Sequence, residues 1–296
     1  MTVVPPADPL TLPTHTGDER LQGVLHAALG PRAPTAAPTP PTAPYWGAGA
    51  YGLDRIAAFR DADPDAQAAV LHRLARARLA EAVGIEALGV GYAARRILDA
   101  DSREEQQLFA TFAADEAAHL AAFLPYHPGP LDADPFLSLL GGVIAEAPRD
   151  DAILVIQVAL EGWGIAHYRT LAATCTDPAL TEAVRAVLRD EARHHGAGLL
   201  LSARRPAGEA AVLALDALCA MVRAGPVGVI AAAEAALGPW SAAERAAVYA
   251  GLDGRAHAAE RLHLLRELLH KAGADPVVRA LERRGAWSPE PPEEPA

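Results

Sequence analysis

Two glutamates, two Glu-x-x-His pairs and a fixed spacing give the chain its chemistry. Glu86 precedes Asp115-Glu116-x-x-His119, and Glu161 precedes Asp190-Glu191-x-x-His194. Each matched position (86 to 161, 115 to 190, 116 to 191, 119 to 194) is separated by 75 residues. The flanks repeat as well, since Glu86-x-x-Gly89-Val90 answers Glu161-x-x-Gly164-Ile165. Four carboxylates and two imidazoles are the oxygen and nitrogen donors that hard to borderline divalent cations take. On a helix, residues three apart differ by about 60° in direction and one turn in height. Glu116 and His119 therefore point the same way and can share one ion, as can Glu191 and His194. A single Glu-x-x-His is common on helices. Two copies, each preceded by Asp and each trailing a glutamate by the same interval, indicate a two-metal site.

The surroundings of these residues make the same argument. Glu161 sits between Ala152-Ile-Leu-Val-Ile-Gln-Val-Ala-Leu160 and Gly162-Trp-Gly-Ile-Ala166. An ionised carboxylate in such a helix is costly unless paired or bound to metal. Four carboxylates in one core would repel, and two divalent cations cancel their charge. Asp115 and Asp190 lie one residue before a ligand and four before a histidine, about 40° from the latter in direction. They are placed to take the second N–H of a metal-bound imidazole, on the opposite helix, and so fix its orientation. Arg193 is positioned to pair with one of them.

Glu81-x-x-Gly84-Ile85 imitates the second repeat and competes with Glu86, but it breaks the common offset. Glu81 and Glu86 are about 140° apart on a helix, so only one can face the metals, and the offset selects Glu86. His195 points about 100° away from His194 and is expected beside the site or on the surface. His257-x-x-Glu260-x-x-His263 has its histidines about 120° apart and reads as a solvated face. Tyr92, Tyr168 and Trp163 fall within two turns of the carboxylates and are read as packing with a satisfied polar tip.

The elements that must position these groups are helices. About half of the 296 residues are apolar, aromatics are few, and alanine, the best helix former, is abundant. Asp63-Pro64, Asp177-Pro178 and Asp275-Pro276 mark helix starts. Ser102-x-x-Glu105 and Ser241-x-x-Glu244 have the form of capping boxes. The predicted helices run over 64–99, 102–124, 134–146, 150–174 and 178–203, with three or four more over 207–284. Short loops after the first and third long helices, and a Pro/Gly-rich link between the second and third, fit an antiparallel four-helix bundle with one crossover. The expected organisation is a Pro-rich arm over 1–44 and the bundle over 45–205. Helices packed on the bundle follow over 206–286, covering a cavity or a homodimer contact, and then a solvated tail over 287–296.

At these residues the chain resembles the ferritin-like superfamily, over about 64–203. Asp-Glu-x-Arg-His, here DEARH at 190–194, is similar to the oxygen-activating branch of acyl-carrier-protein desaturases, bacterial multicomponent monooxygenases and ribonucleotide reductase small subunits. The first copy reads DEAAH and lacks the arginine. The resemblance implies Glu86, Glu116 and His119 on one iron and Glu161, Glu191 and His194 on the other, with some carboxylates bridging. It also implies two iron ions (Fe/Fe, with Mn/Fe open), an oxidase or oxygenase acting with O₂ on a small organic substrate, and an electron-donor protein. Iron handling or peroxide detoxification in the manner of ferritins and rubrerythrins is a second reading. A helical interaction protein with an inert or zinc-bound site is a third.

Composition bounds the rest. A formal charge of -11 disfavours nucleic acid or an anionic membrane as partner. Cys175 and Cys219 form no C-x-x-C pair, which is what a reducing cytoplasm would give. The N-terminus has no basic, apolar leader pattern. No uncharged apolar run reaches the ~20 residues that span a bilayer, so a soluble protein is expected.

Overall fold

The computed structural model describes Glu19 and residues 44–289, apart from Pro128 and Arg205. Apart from Glu19 and Pro44, the arm expected over 1–44 lies outside the described residues, as does most of the tail expected over 287–296. Within them the protein is all-α. Among the described residues the only β pairing is an isolated bridge between Trp46 and Cys175.

After short helical turns at 48–60, the long helices are α1 (Pro64–Leu98), α2 (Arg103–Phe123) and α3 (Pro135–Glu146). A helical turn Arg149–Ala152 then runs without a break through a π-helical segment, Ile153–Leu160, into α4 (Glu161–Thr174). Next come α5 (Pro178–Ser202), α6 (Glu209–Ala224), α7 (Val227–Leu237), α8 (Ala242–Gly251), α9 (Gly254–Lys271) and α10 (Asp275–Arg283). The last five exceed the three or four expected there. Gly225 at φ +73 and Asp253 at φ +53 break what periodicity alone reads as longer helices.

The caps explain the boundaries. Asp177 accepts from the Leu180 amide at 2.7 Å ahead of Pro178, and Asp134 accepts from Leu137 at 2.9 Å ahead of Pro135. Ser241 and Glu244 form a complete capping box. Ser102 accepts from the Glu105 amide at 3.1 Å, but Glu105 does not reciprocate. Its buried carboxylate turns instead to Arg149. Asp275 likewise binds His270 Nδ1 at 2.6 Å rather than capping α10.

The chain divides into two compact units, one built from 79–149 and the other from 44–78 with 150–289. In the first, α3 approaches α1 at Gly84, where a Cβ would lie 2.4 Å from Leu137 Cδ1. Tyr92, Phe109 and Phe112 join α1 to α2 in successive edge-to-face contacts at 6.1 and 5.8 Å. In the second, Trp46 is buried and donates to the Leu171 carbonyl at 3.1 Å, and Arg78 lies 3.8 Å from the Tyr51 ring centroid. α4 and α5 pack together, and α9 lies against both α4 and the π-helical segment. Leu268 of α9 comes so close to Gly162 that an added Cβ would meet it at 2.7 Å. Trp287 donates to the Val278 carbonyl at 3.4 Å.

No single helix among the described residues is long and apolar enough to cross a membrane. Only α6 with α7, bent by 43°, meets that test as a pair. The buried face of α6, which includes Leu215 and Leu218, belongs to a helix packed on α9 and α10.

Because α9 covers the π-helical segment, a chain ending at residue 206 should expose Ile153, Val155 and Val158. It should aggregate or elute as a large species in size-exclusion chromatography. A soluble monomer with a full-amplitude thermal transition would contradict this account of the packing.

Candidate metal centre

The candidate ligand residues of α2 and α5 occupy core positions of amphipathic helices. On α5 the buried stripe runs Leu180, Val184, Val187, Glu191, His194, Gly198 and Leu201. On α2 it runs Phe109, Phe112, Glu116, His119 and Phe123. These are three- and four-residue steps, so the packing that orders Phe109 or Val187 also drives the carboxylates and imidazoles inward.

In the first unit, one oxygen of Glu86, one of Glu116 and a ring nitrogen of His119 lie within 4.8 Å of one another. His119 Nδ1 is 3.2 Å from Glu86 Oε2 and 3.8 Å from Glu116 Oε2. Two donor atoms each about 2.1 Å from one ion sit roughly 3.0–3.6 Å apart, so this buried cluster could hold a metal ion. Gly89 makes room for it. A Cβ there would lie 2.5 Å from Glu116 Oε2. Glu86 is 1% exposed. Burial pushes its carboxyl up to about 7, against the lowering effect of the His119 hydrogen bond and with further raising by Glu116. Glu81, on the same helix, is exposed.

The second unit repeats the triad with looser spacing. His194 Nδ1 stands 3.7 Å from Glu161 Oε2 and 3.9 Å from Glu191 Oε2. Among the described residues, Glu161 Oε2 is buried with no hydrogen-bond partner. A carboxylate oxygen so placed could take a cation. Gly164, the counterpart of Gly89, has nothing within 4 Å of an added Cβ. The two halves also differ in backbone. The π-helical run leads directly into Glu161, whereas the matching residues 78–85 are ordinary α-helix. The Glu161 amide donates back to the Ile156 carbonyl, five residues earlier.

Asp115 is buried, while the Asp190 side chain is 27% exposed and takes Arg193 at 2.7 Å. Neither aspartate belongs to a ligand cluster. His257, Glu260 and His263 are all exposed. Tyr92 packs against Phe109 with the Arg96 guanidinium 5.4 Å from its ring centroid. Trp163 carries Arg261 at 5.3 Å, and Tyr168 is buried. His195 is buried rather than at the surface, and its Nδ1 donates to the Gln157 carbonyl at 3.2 Å. The hint in the sequence was Gln157 itself, an isolated amide in an apolar run.

Comparison with family models, with curated proteins and with solved structures finds no match.

Two outcomes follow from this geometry. Gly89→Ala should push Glu116 aside and weaken metal binding by about 10-fold or more, comparable to losing a residue that orients a ligand. Gly164→Ala should leave binding unchanged, and equal effects in equilibrium dialysis would contradict the stated role of Gly89. The second outcome concerns pH. Glu86 has a raised folded pKa, so the metal-free fold binds more protons than the unfolded chain between about 4.5 and about 7. Its contribution to stability is therefore present below that window and lost as pH rises through it. The melting temperature of metal-free protein should fall over this range, and Glu86→Gln should flatten the fall while impairing metal binding.

Proposed function

We propose that the chain is a ferritin-like di-iron protein, an oxidase or oxygenase that uses O₂ to oxidise a small organic substrate. The observation that carries this reading is the duplicated Glu–Glu–His triad at one sequence offset, buried in the first copy and, apart from the partly buried Glu161, in the second. Support also comes from the order of the helices, in which α1, α2, α4 and α5 carry all six ligands. One long link, holding α3, separates α2 from the helical turn that leads to α4.

Glu86, Glu116 and His119 would hold one ion, and Glu161, Glu191 and His194 the other. Four carboxylates against two divalent ions leave little net charge, which removes the cost of burying them. When bound, iron supplies O₂ activation that no side chain provides. The chain's own work is positional. Gly89 admits the Glu116 carboxylate, the apolar stripes of α2 and α5 keep bulk water away, and Arg193 holds Asp190. Asp115 and Asp190 are assigned to fixing imidazole orientation. A small substrate and an electron-donor protein complete the proposal.

Protein produced in iron-replete medium should contain about two transition-metal ions per chain by elemental analysis, one for each triad. Glu191→Ala should lose metal, and ferrous-loaded wild type should consume O₂ measurably in an oxygen electrode. A Glu191→Ala variant that keeps both ions would sink the ligand set. Zinc alone, with no O₂ uptake after iron loading, would favour an inert site. Uptake that stops after one oxidation of the iron and cannot be sustained by any reductant would favour iron handling.

A further inference from the structure

Gln157 is the one amide in the run Ile153–Leu160, and it is 1% exposed. Its Oε1 is buried and has no hydrogen-bond partner among the described residues. A buried amide oxygen without a donor is unfavourable, because it has lost water and gained nothing. In the first copy of the repeat the matching residue is Ala82, so the metal ligands alone do not demand an amide here.

The backbone at Gln157 is held from two sides. His195 Nδ1 donates to its carbonyl at 3.2 Å. Gly198, one turn further along α5, comes so near that an added Cβ would sit 2.7 Å from Gln157 Cβ and 2.9 Å from its carbonyl oxygen. The chain between Gln157 and Glu161 is π-helical, with hydrogen bonds stepping back five residues. That step puts residues four and five apart on one side of the helix. Gln157 is therefore on the side of Glu161, whose Oε2 is the other buried oxygen of α4 and its π segment with no hydrogen-bond partner among the described residues. His194, the partner of Glu161 at 3.7 Å, adjoins the histidine that clamps Gln157.

The geometry points to Gln157 as the specificity-determining residue of the second half-site, its Oε1 accepting a hydrogen bond from a substrate that carries an O–H or N–H donor. This inference rests on the oxidase or oxygenase reading for the word substrate, but the contact itself does not need the metals. The class it selects is alcohols, amines and amides, and it disfavours hydrocarbons and ethers of the same size. His195 and Gly198 act through Gln157 as positioning residues.

The test uses 1-butanol, 1-butylamine and diethyl ether as probes of similar volume. Each is titrated by ligand-observed NMR into full-length wild type and Gln157→Leu, both metal-loaded and metal-free, with metal content measured in parallel. Wild type should bind the two donor-bearing probes about tenfold or more tightly than the ether, a factor in keeping with one hydrogen bond. Gln157→Leu should keep its metal and lose the preference, and Gln157→Asn, with the same amide on a shorter arm, should retain part of it. A wild type with no preference, a Leu variant that retains it, or a Leu variant that loses metal would each overturn the assignment. Wild type that contains no transition metal yet shows the preference would defeat the di-iron reading and leave the Gln157 contact standing.

Discussion

The cost of placing ionised carboxylates inside a helical protein governs this structure. Glu116 occupies the same stripe as Phe109 and Phe112, Glu191 that of Val184 and Val187, and Glu86 is buried on α1. Leucine at those positions would give a more stable fold, since a buried charge is weak support for stability even when paired. The helices hold the carboxylates inside only because so many neighbouring apolar side chains are buried with them. The protein meets the cost in part by raising the Glu86 carboxyl to about 7 and giving His119 to it at 3.2 Å. Binding and folding are thereby linked, because a metal must displace a proton that burial has helped to retain.

The two triads share a sequence pattern and differ in mechanical setting. The first is tight, with Gly89 shaped around Glu116 and Asp115 buried beside it. The second is looser and lies closer to solvent, with Asp190 partly exposed and tied to Arg193. It follows a helix of different hydrogen-bond pattern and includes a side-chain amide that the first copy lacks. The repeat places the same residue types in both halves, and the departures from it distinguish them.

Much of this was legible in the sequence because it depends on local rules. The helix boundaries follow from Asp-Pro and Ser-x-x-Glu signals whose chemistry lies within one turn. The candidate ligands could be singled out because a constant offset is visible without any structure, and the offset chose Glu86, the buried glutamate, over the exposed Glu81. What was not legible depends on partners distant in sequence. Glu105 looks like half of a capping box until Arg149, 44 residues away, takes its carboxylate. For His195 the sequence leaves two places open, beside the site or on the surface, and the Gln157 carbonyl that it meets inside is 38 residues away. The π-helical run has no signature of its own, since ILVIQVAL is apolar but for Gln157 and carries no period from which a turn length could be read.

That run bears on how firmly Glu161 is held. A π-helical stretch contains more residues per turn than its α-helical neighbours, which amounts to slack of about one residue stored inside a continuous helix. Taking up one residue of slack rotates everything beyond it by about 100° with a rise of about 1.5 Å. Glu161 is the first residue beyond, so its heading is set by a winding number rather than by a rigid bond. The clamp at His195 and Gly198 works as the pawl on that winding.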